Sequence, residues 1–566
     1  MAIRQDPRLI VVVVCAVALA YWLIVPRGDT RSAVKNKVGD KKESSVHKGK
    51  DEARPGGHHA HEGLGLGHID HMRSATQIES KRMTDQEKIA RLQKDFENAQ
   101  KEIEKLKDEL ISKEGLLQQA SEKQKEAESK QNVESKKSVS TQTDGSIKFK
   151  AFSGHRIFHL DLKGSAPKLS YLRKLIPFLK SYGVTGILME YEDTFPFEGD
   201  LSILKSKDAY TKAEIQELLG IAKELELLVI PLMQTFGHLE FVLKHKKFAH
   251  LRETEKITNS ICPLNNDSRV LIKKMIKQIL SLHENADWIH LGGDEVWNLK
   301  SCDKCKESPM SKADLFLHHM IPLFEFVKEN THGKTLPIIW DDMMRNWKVD
   351  QLKYIAKHVQ PMIWAYVPDL KSYYKFPVGM WDRYSQAFLK VWIASSFKGA
   401  DKPISNYVPI SNHVQNHLSW LKIISSFPKN IQVVGITLTG WSRFDHYASM
   451  CELLPAAIPS LAFCLSALQK GYFDEELQKT VSVRLGFKKT LPISVTNFKA
   501  LEVESGNFPG SDVFELVSKF EKANGWFNSG KVRENGWLGP FNVEDNHLSA
   551  IKLKLLEGQL MLVLTY

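Results

Sequence analysis

The sequence predicts an α/β fold, a (β/α)8 TIM barrel over residues 151–475. Three observations predict it. Eight short apolar runs rich in β-branched residues recur after residue 150, and segments of helical period lie between most of them. Eleven of the 12 tryptophans also lie beyond residue 150, Trp22 being the exception, so the large core must be C-terminal. With 566 residues the chain has room for more than this barrel. An N-terminal membrane segment, a disordered stem and a coiled coil are expected ahead of it, and a helical C-terminal extension, residues 476–566, behind it.

After a tail of residues 1–8, Leu9 to Val25 is an unbroken run of 17 apolar or aromatic residues. That length is the lower limit for crossing a bilayer. Ala18-Leu19-Ala20 resembles a signal-peptidase site, but the run continues through Tyr21–Val25, which favours an uncleaved signal anchor. Arg4 and Arg8 oppose Arg27 and Arg31, so the positive-inside rule gives no clear orientation. A single-pass type II arrangement is favoured, with the C-terminal part lumenal or extracellular. The lone sequon Asn266-Asp267-Ser268 is compatible with it.

Residues 26–82 are rich in Lys, Ser, Gly and His and read as a disordered stem. His58, His59, His61, His68 and His71 within it are read as a solvated linker in preference to a metal site. Residues 83–130 then carry a heptad pattern: Ile89, Leu92, Phe96, Ala99, Ile103, Leu106 and Leu110 alternate 3- and 4-residue steps, opened by the capping box Thr84/Glu87. A parallel homo-oligomer, dimer or trimer, is the expectation. Residues 131–150 form a polar linker.

The barrel strands are expected at Ile157–Leu162, Gly186–Tyr191, Leu228–Met233, Trp288–Leu291, Leu336–Trp340, Met362–Tyr366, Lys390–Ala394 and Val433–Leu438. Helices are expected between them, for example Thr211–Leu225, with the capping box Thr211/Glu214, and Arg269–Leu282. The stretch 367–389 lacks a clean helical pattern. The formal net charge of +11 is not gathered into a stripe: residues 83–150 hold 14 Lys/Arg against 14 Asp/Glu. No nucleic-acid partner is expected. Among the six cysteines only Cys302-x-x-Cys305 is a close pair. No second CxxC or HxxxH accompanies it, so a loop disulfide or two free thiols is preferred to zinc, and neither metal nor cofactor is expected.

Chemistry in such a barrel is built at the C-terminal strand ends. There the chain offers Asp161 and Lys163, His238, the pair Asp294-Glu295 after Gly292-Gly293, Trp340 and Asp342, Trp364 and Tyr366, and Trp441 and Arg443. In a regular strand Asp294 and Glu295 would face opposite ways, so both enter one pocket only if the strand ends or bulges there. Tryptophan faces stack on the C–H faces of a pyranose while charged groups bond its hydroxyls, so the set suits a sugar.

His290-x-Gly-Gly-Asp294-Glu295 resembles the signature of glycoside hydrolase family 20, the β-N-acetylhexosaminidases. Further runs carry the resemblance over about residues 155–475: His159-Leu-Asp-Leu-Lys163-Gly, Gln234-Thr-Phe-Gly-His238, Trp340-Asp-Asp-Met343 and Thr439-Gly-Trp-Ser-Arg-Phe-Asp-His-Tyr447. It implies hydrolysis of terminal non-reducing β-GalNAc and/or β-GlcNAc from glycoconjugates by a retaining, substrate-assisted mechanism, an exception to the scheme of two catalytic carboxylates. Glu295 would be the general acid, then base, and Asp294 would hold the 2-acetamido group. Trp340, Trp364 and Trp441 would wall the acetamido pocket, Tyr366 or Tyr384 would bond its carbonyl oxygen, and His238 would support the acid. Many members carry an arginine after the first strand that binds the 3- and 4-hydroxyls, where this chain has Lys163. Loss of that fork would relax discrimination at the 4-hydroxyl. Relatives of this kind can be cytosolic, which leaves a cytoplasmic or nuclear location as the alternative. A membrane-tethered, coiled-coil sugar-binding or scaffolding protein with an inactive barrel is the competing reading, disfavoured by the intact acid pair. A metal-dependent barrel enzyme is disfavoured because adjacent Asp and Glu without nearby His ligands make a poor site.

Overall fold

The computed structural model describes residues 148–493, apart from Ser372 and Ile404, together with 506–528. The apolar run 9–25, the stem, the heptads of residues 83–130 and most of the C-terminal extension lie outside the described residues. Among the described residues no helix is long and apolar enough to cross a membrane.

Eight parallel strands close into a barrel in the order β1-β10-β9-β8-β7-β6-β3-β2. They are β1 His155–Asp161, β2 Gly186–Glu190, β3 Leu228–Leu232, β6 Trp288–His290, β7 Leu336–Trp340, β8 Gln360–Trp364, β9 Lys390–Lys398 and β10 Gln432–Gly440. All eight expected strands are present. β9 and β10 run further than expected, and β8 sits two residues earlier. The two longest strands pair along their whole length, including a register shift at Thr439/Gly440.

Strand parity sorts the side chains. Ile157, Leu188, Ile230, Leu232, Ile338, Trp340, Met362, Trp392 and Ala394 pack together as one cluster inside the barrel. Their neighbours of opposite parity, among them Phe158, Ile187, Ile289, Ile339, Ile363 and Ile393, belong to the larger core shared with the helices. Period 2 thus decides which residue at each strand end meets the cavity.

Each barrel strand is followed by a helix. Lys212–Glu224 begins where its capping box predicts, with the Thr211 and Glu214 side chains satisfying each other's backbone N–H. The helix expected from Arg269 starts earlier, at Asn266, because the Asn265 side chain accepts from the Asp267 N–H. The 367–389 connection does hold a short helix, Met380–Ala387, entered through Gly379 in the left-handed conformation. Leu454–Lys470 is buried along almost its whole length. An antiparallel hairpin, β4 Arg252–Thr254 with β5 Ile257–Ile261, was not anticipated; it interrupts the passage from β3 to its helix. In the C-terminal extension two helices are described, Glu475–Arg484 and Ser511–Asn528.

Candidate active site

Strand β6 ends at His290, and the next residues turn sharply. Gly292 and Gly293 have φ of +61° and +87°, where a side chain is disfavoured, and a Cβ on Gly292 would collide with the Gln234 side chain. The turn is pinned from below: the Gly292 N–H donates to His290 Nδ1 (3.0 Å), and burial pushes the His290 imidazole down to about 3, so it is neutral and able to accept. Glu295 then adopts φ +49°, and His238, on the loop after β3, φ +50°. Two non-glycine residues in the left-handed region within one site is stored strain of the kind found where function demands it. Both acids therefore reach one place because the strand has ended.

His238 Nε2 lies 3.4 Å from Asp294 Oδ2 and 3.4 Å from Glu295 Oε2. The loops can come this close because residue 237 is glycine: a Cβ there would strike the Asp294 carbonyl oxygen. Burial works against the His238 charge, but Asp294 and the hydrogen bond with Glu295 lift it to about 10. Burial pushes Asp294 up to about 7; His238 pulls down, while Asp342 and Glu295 push further up. Glu295, whose side chain is a third exposed, is lowered despite burial because His238 bonds it. Two neighbouring acids thus differ in sign of shift, the arrangement expected of groups with distinct roles.

A buried carboxyl raised from 3.8 to about 7 holds its proton in the native state across a pH range where the unfolded chain has released it. Stability attributable to Asp294 is then lost as pH rises between about 4 and 7. Asp294→Asn is expected to raise the melting temperature at pH 7.5, with the gain shrinking toward pH 4; a variant that melts lower at both pH values contradicts this.

Asp342 supports both the acid and the wall. Its Oδ2 accepts from the Glu295 N–H (3.0 Å) and its Oδ1 from Trp364 Nε1 (3.2 Å). Beneath it, Asp341 is held by Arg345 Nε and Nη2 (2.8 and 2.6 Å), both side chains being almost fully buried. Tyr384 also donates to Asp341 Oδ2 (3.2 Å). This corrects the expectation that Tyr384 reaches a ligand: it is fully buried on the helix Met380–Ala387 and acts through Asp341. Tyr366, by contrast, lines the cavity and stacks on Trp364, centroids 5.3 Å apart.

On the opposite wall, Asp161 and Glu190 are paired in register across β1 and β2. Lys163 Nζ lies 3.1 Å from Asp161 Oδ2, 3.0 Å from Glu190 Oε1 and 4.7 Å from the Trp441 ring centroid. Burial alone would lower its pKa, yet the two carboxylates raise it, so the ammonium is both charged and fixed. Asp161 does not itself line the cavity, its oxygens being taken by the Lys163 and Ser442 N–H groups and by the Lys163 ammonium. Glu190, steadied by His159 (3.0 Å), lines the cavity in its stead.

The cavity is about 410 Å3, within the range of roughly 300–1,000 Å3 usual for small ligands. Lys163, His238, Asp294, Glu295, Trp340, Trp364, Tyr366, Trp441 and Arg443 all line it; Asp161, Asp342 and Tyr384 support it from behind. Glu190 and Gln234, which belong to strand-end runs but were not expected to contact a ligand, and Lys375 and Asp401, not singled out at all, also line it. Glu190 was recoverable from parity with the inward Leu188. Lys375 was not, because its loop has no periodicity. Among the described residues Asp294 Oδ1, Trp340 Nε1 and Gln234 Oε1 are buried without a hydrogen-bond partner. Such groups are costly unless something bonds them.

The family described as "Glycosyl hydrolase family 20, catalytic domain" matches residues 176–374. Hexosaminidase D of Homo sapiens is 40% identical over 398 residues, 68% of this chain and 80% of that protein. The chain belongs to glycoside hydrolase family 20. Hexosaminidase D of Bos taurus is 43% identical over 338 residues, covering 58% of this chain and 96% of the relative. A solved β-N-acetylhexosaminidase from Bacteroides fragilis overlaps 58% of this chain and 70% of its own, at 15% identity and a TM-score of 0.44. As a family 20 member the protein is a glycoside hydrolase, and the match to the catalytic domain falls within the barrel.

Proposed function

We propose that the barrel is an exo-β-N-acetylhexosaminidase acting by a retaining, substrate-assisted route on terminal β-GalNAc and/or β-GlcNAc. One observation carries the reading: Asp294 and Glu295 share His238, and Asp294 keeps a buried, unpartnered oxygen in a tryptophan-walled cavity. A 2-acetamido group offers what that oxygen lacks, an N–H donor. Bound there, its carbonyl oxygen attacks the anomeric carbon, the C1–O bond breaks, and Glu295 gives its proton to the departing oxygen. The oxazolinium formed is opened by water, whose proton Glu295 takes. Tyr366 is the remaining candidate for bonding the acetamido oxygen.

In the free site the proton favours Asp294 over Glu295. Binding reverses that preference: the acetamido N–H stabilises ionised Asp294, and the covering sugar strips water from Glu295. His238 Nε2, within 3.4 Å of both, is the route by which one proton passes between them. Two of the three N–H groups of Lys163 are spent on Asp161 and Glu190, leaving one for a sugar hydroxyl. One donor discriminates less than a bidentate fork.

The full chain is expected to hydrolyse 4-nitrophenyl β-GalNAc and β-GlcNAc, with β-GalNAc at least as fast; no turnover of either overturns the activity. A series of N-fluoroacetyl analogues tests the assistance. Fluorine weakens the carbonyl nucleophile, so kcat/KM should fall with each fluorine, and a flat series excludes the mechanism. We extend the proposal to the N-terminus, with residues 9–25 as a type II anchor and the heptads as the contact between copies. Protease protection of the barrel in sealed vesicles supports that topology; full digestion rejects it.

A further inference from the structure

The β4–β5 hairpin and the chain after Glu295 bring together four potential ligands that lie far apart in sequence. Glu253 is on β4, Cys262 follows β5, and Cys302 and Cys305 bracket the start of the helix Asp303–Glu307. One ligand atom from each lies within 4.8 Å of every other. Cys262 Sγ is 3.5 Å from Cys302 Sγ and 3.7 Å from Cys305 Sγ, and Cys305 Sγ is 3.4 Å from Glu253 Oε2. Tetrahedral zinc with Zn–S of about 2.3 Å and Zn–O of about 2.0 Å sets edges of about 3.8 Å between sulfurs and about 3.5 Å between sulfur and oxygen. Three of the cluster's six edges already have nearly those lengths, and the other three lie within 4.8 Å.

We propose that Glu253, Cys262, Cys302 and Cys305 form a structural zinc site. Glu253 argues for a cation independently of the distances. It is fully buried and has no ion-pair partner among the described residues. Its Oε1 accepts from the Ser301 and Cys302 N–H groups (2.7 and 3.2 Å), which leaves Oε2 turned to Cys305. A buried carboxylate without a countercharge is strongly disfavoured, and the three sulfurs beside it are free cysteines. The Cys305 N–H donates to Cys302 Sγ (3.4 Å), the outer bond that steadies a metal-bound thiolate. Three soft sulfurs with one carboxylate in a tetrahedron select zinc over hard cations, and four protein ligands leave no open position for catalysis. The expectation of no metal counted only Cys302-x-x-Cys305; Cys262 and Glu253 reach it through the unanticipated hairpin.

The location gives the site a task. The hairpin grows from the loop that carries His238, and Cys302 lies seven residues beyond Glu295. Zinc here ties the two loops whose approach creates the His238–Asp294–Glu295 contact. These four residues are positioning residues; none lines the cavity.

The test is the metal content of the full chain, expressed with zinc and purified without chelator. About one zinc per chain is expected. Because the stem histidines can also hold zinc, cobalt(II) is exchanged in. Thiolate-to-cobalt charge transfer with the intense bands of tetrahedral cobalt is expected, and should persist when His58, His59 and His61 are replaced by Asn. Cys302→Ser should lose that spectrum and melt lower than the parent. A chain that takes up no zinc, that binds it without a thiolate band, or that shows a disulfide among Cys262, Cys302 and Cys305 by mass mapping overturns the proposal. These readouts do not depend on turnover, so they stand apart from the assigned activity.

Discussion

Glu295→Gln is expected to lower kcat/KM toward β-N-acetylhexosaminides with poor leaving groups by about 10²- to 10⁴-fold, the usual worth of general acid–base assistance. The amide keeps the size and the backbone bond to Asp342 but has no proton to give. The loss should scale with the leaving group. A nitrophenolate departs with little help, so the variant should fall least there and most with alkyl glycosides or disaccharides. Binding of the sugar should survive, because Asp294 and the tryptophans are untouched. Equal losses across leaving groups, or retained full activity, would remove Glu295 from the acid role.

Arg345→Ala should be the most damaging substitution outside the cavity. Arg345 forms two bonds with Asp341 and donates to the Trp364 carbonyl oxygen (2.8 Å), with almost no solvent contact. Removing it strands a fully buried carboxylate, which costs about 3–5 kcal/mol. Denaturant unfolding of the variant measures this; a change below about 1 kcal/mol would show that the pair carries little. The double variant Asp341→Asn/Arg345→Met should regain part of the loss, since no charge is left unpaired. Activity should also suffer, because Asp341 accepts from the Trp364 N–H (3.3 Å), and Trp364 in turn bonds the Asp342 that supports Glu295.

The barrel was legible because eight buried strands and their intervening helices leave separate periods in the sequence. The acid pair was legible because two glycines announce a turn that only a strand end requires. Tyr384 shows the limit. The family resemblance put it among ligand contacts, yet it sits on an outer helix and bonds the far side of Asp341. Sequence order reveals which strand a residue follows, not how many layers lie between it and the cavity. Lys375 was unreadable for the opposite reason, since an aperiodic loop carries no sign of the face it presents. The Glu253–Cys262–Cys302–Cys305 cluster failed a test of spacing because three separate segments supply its atoms.

Asn259, on the hairpin, has one more consequence. Its backbone oxygen accepts from Leu239, beside His238, while its side-chain oxygen accepts from Asn298, just beyond Glu295. A single residue thus registers both loops, and Gly237 leaves no slack between them. Anyone moving this chemistry to another barrel, or recombining it with a relative, would have to carry residues 234–305 as one block. Exchanging either loop alone would transfer the right side chains into the wrong frame.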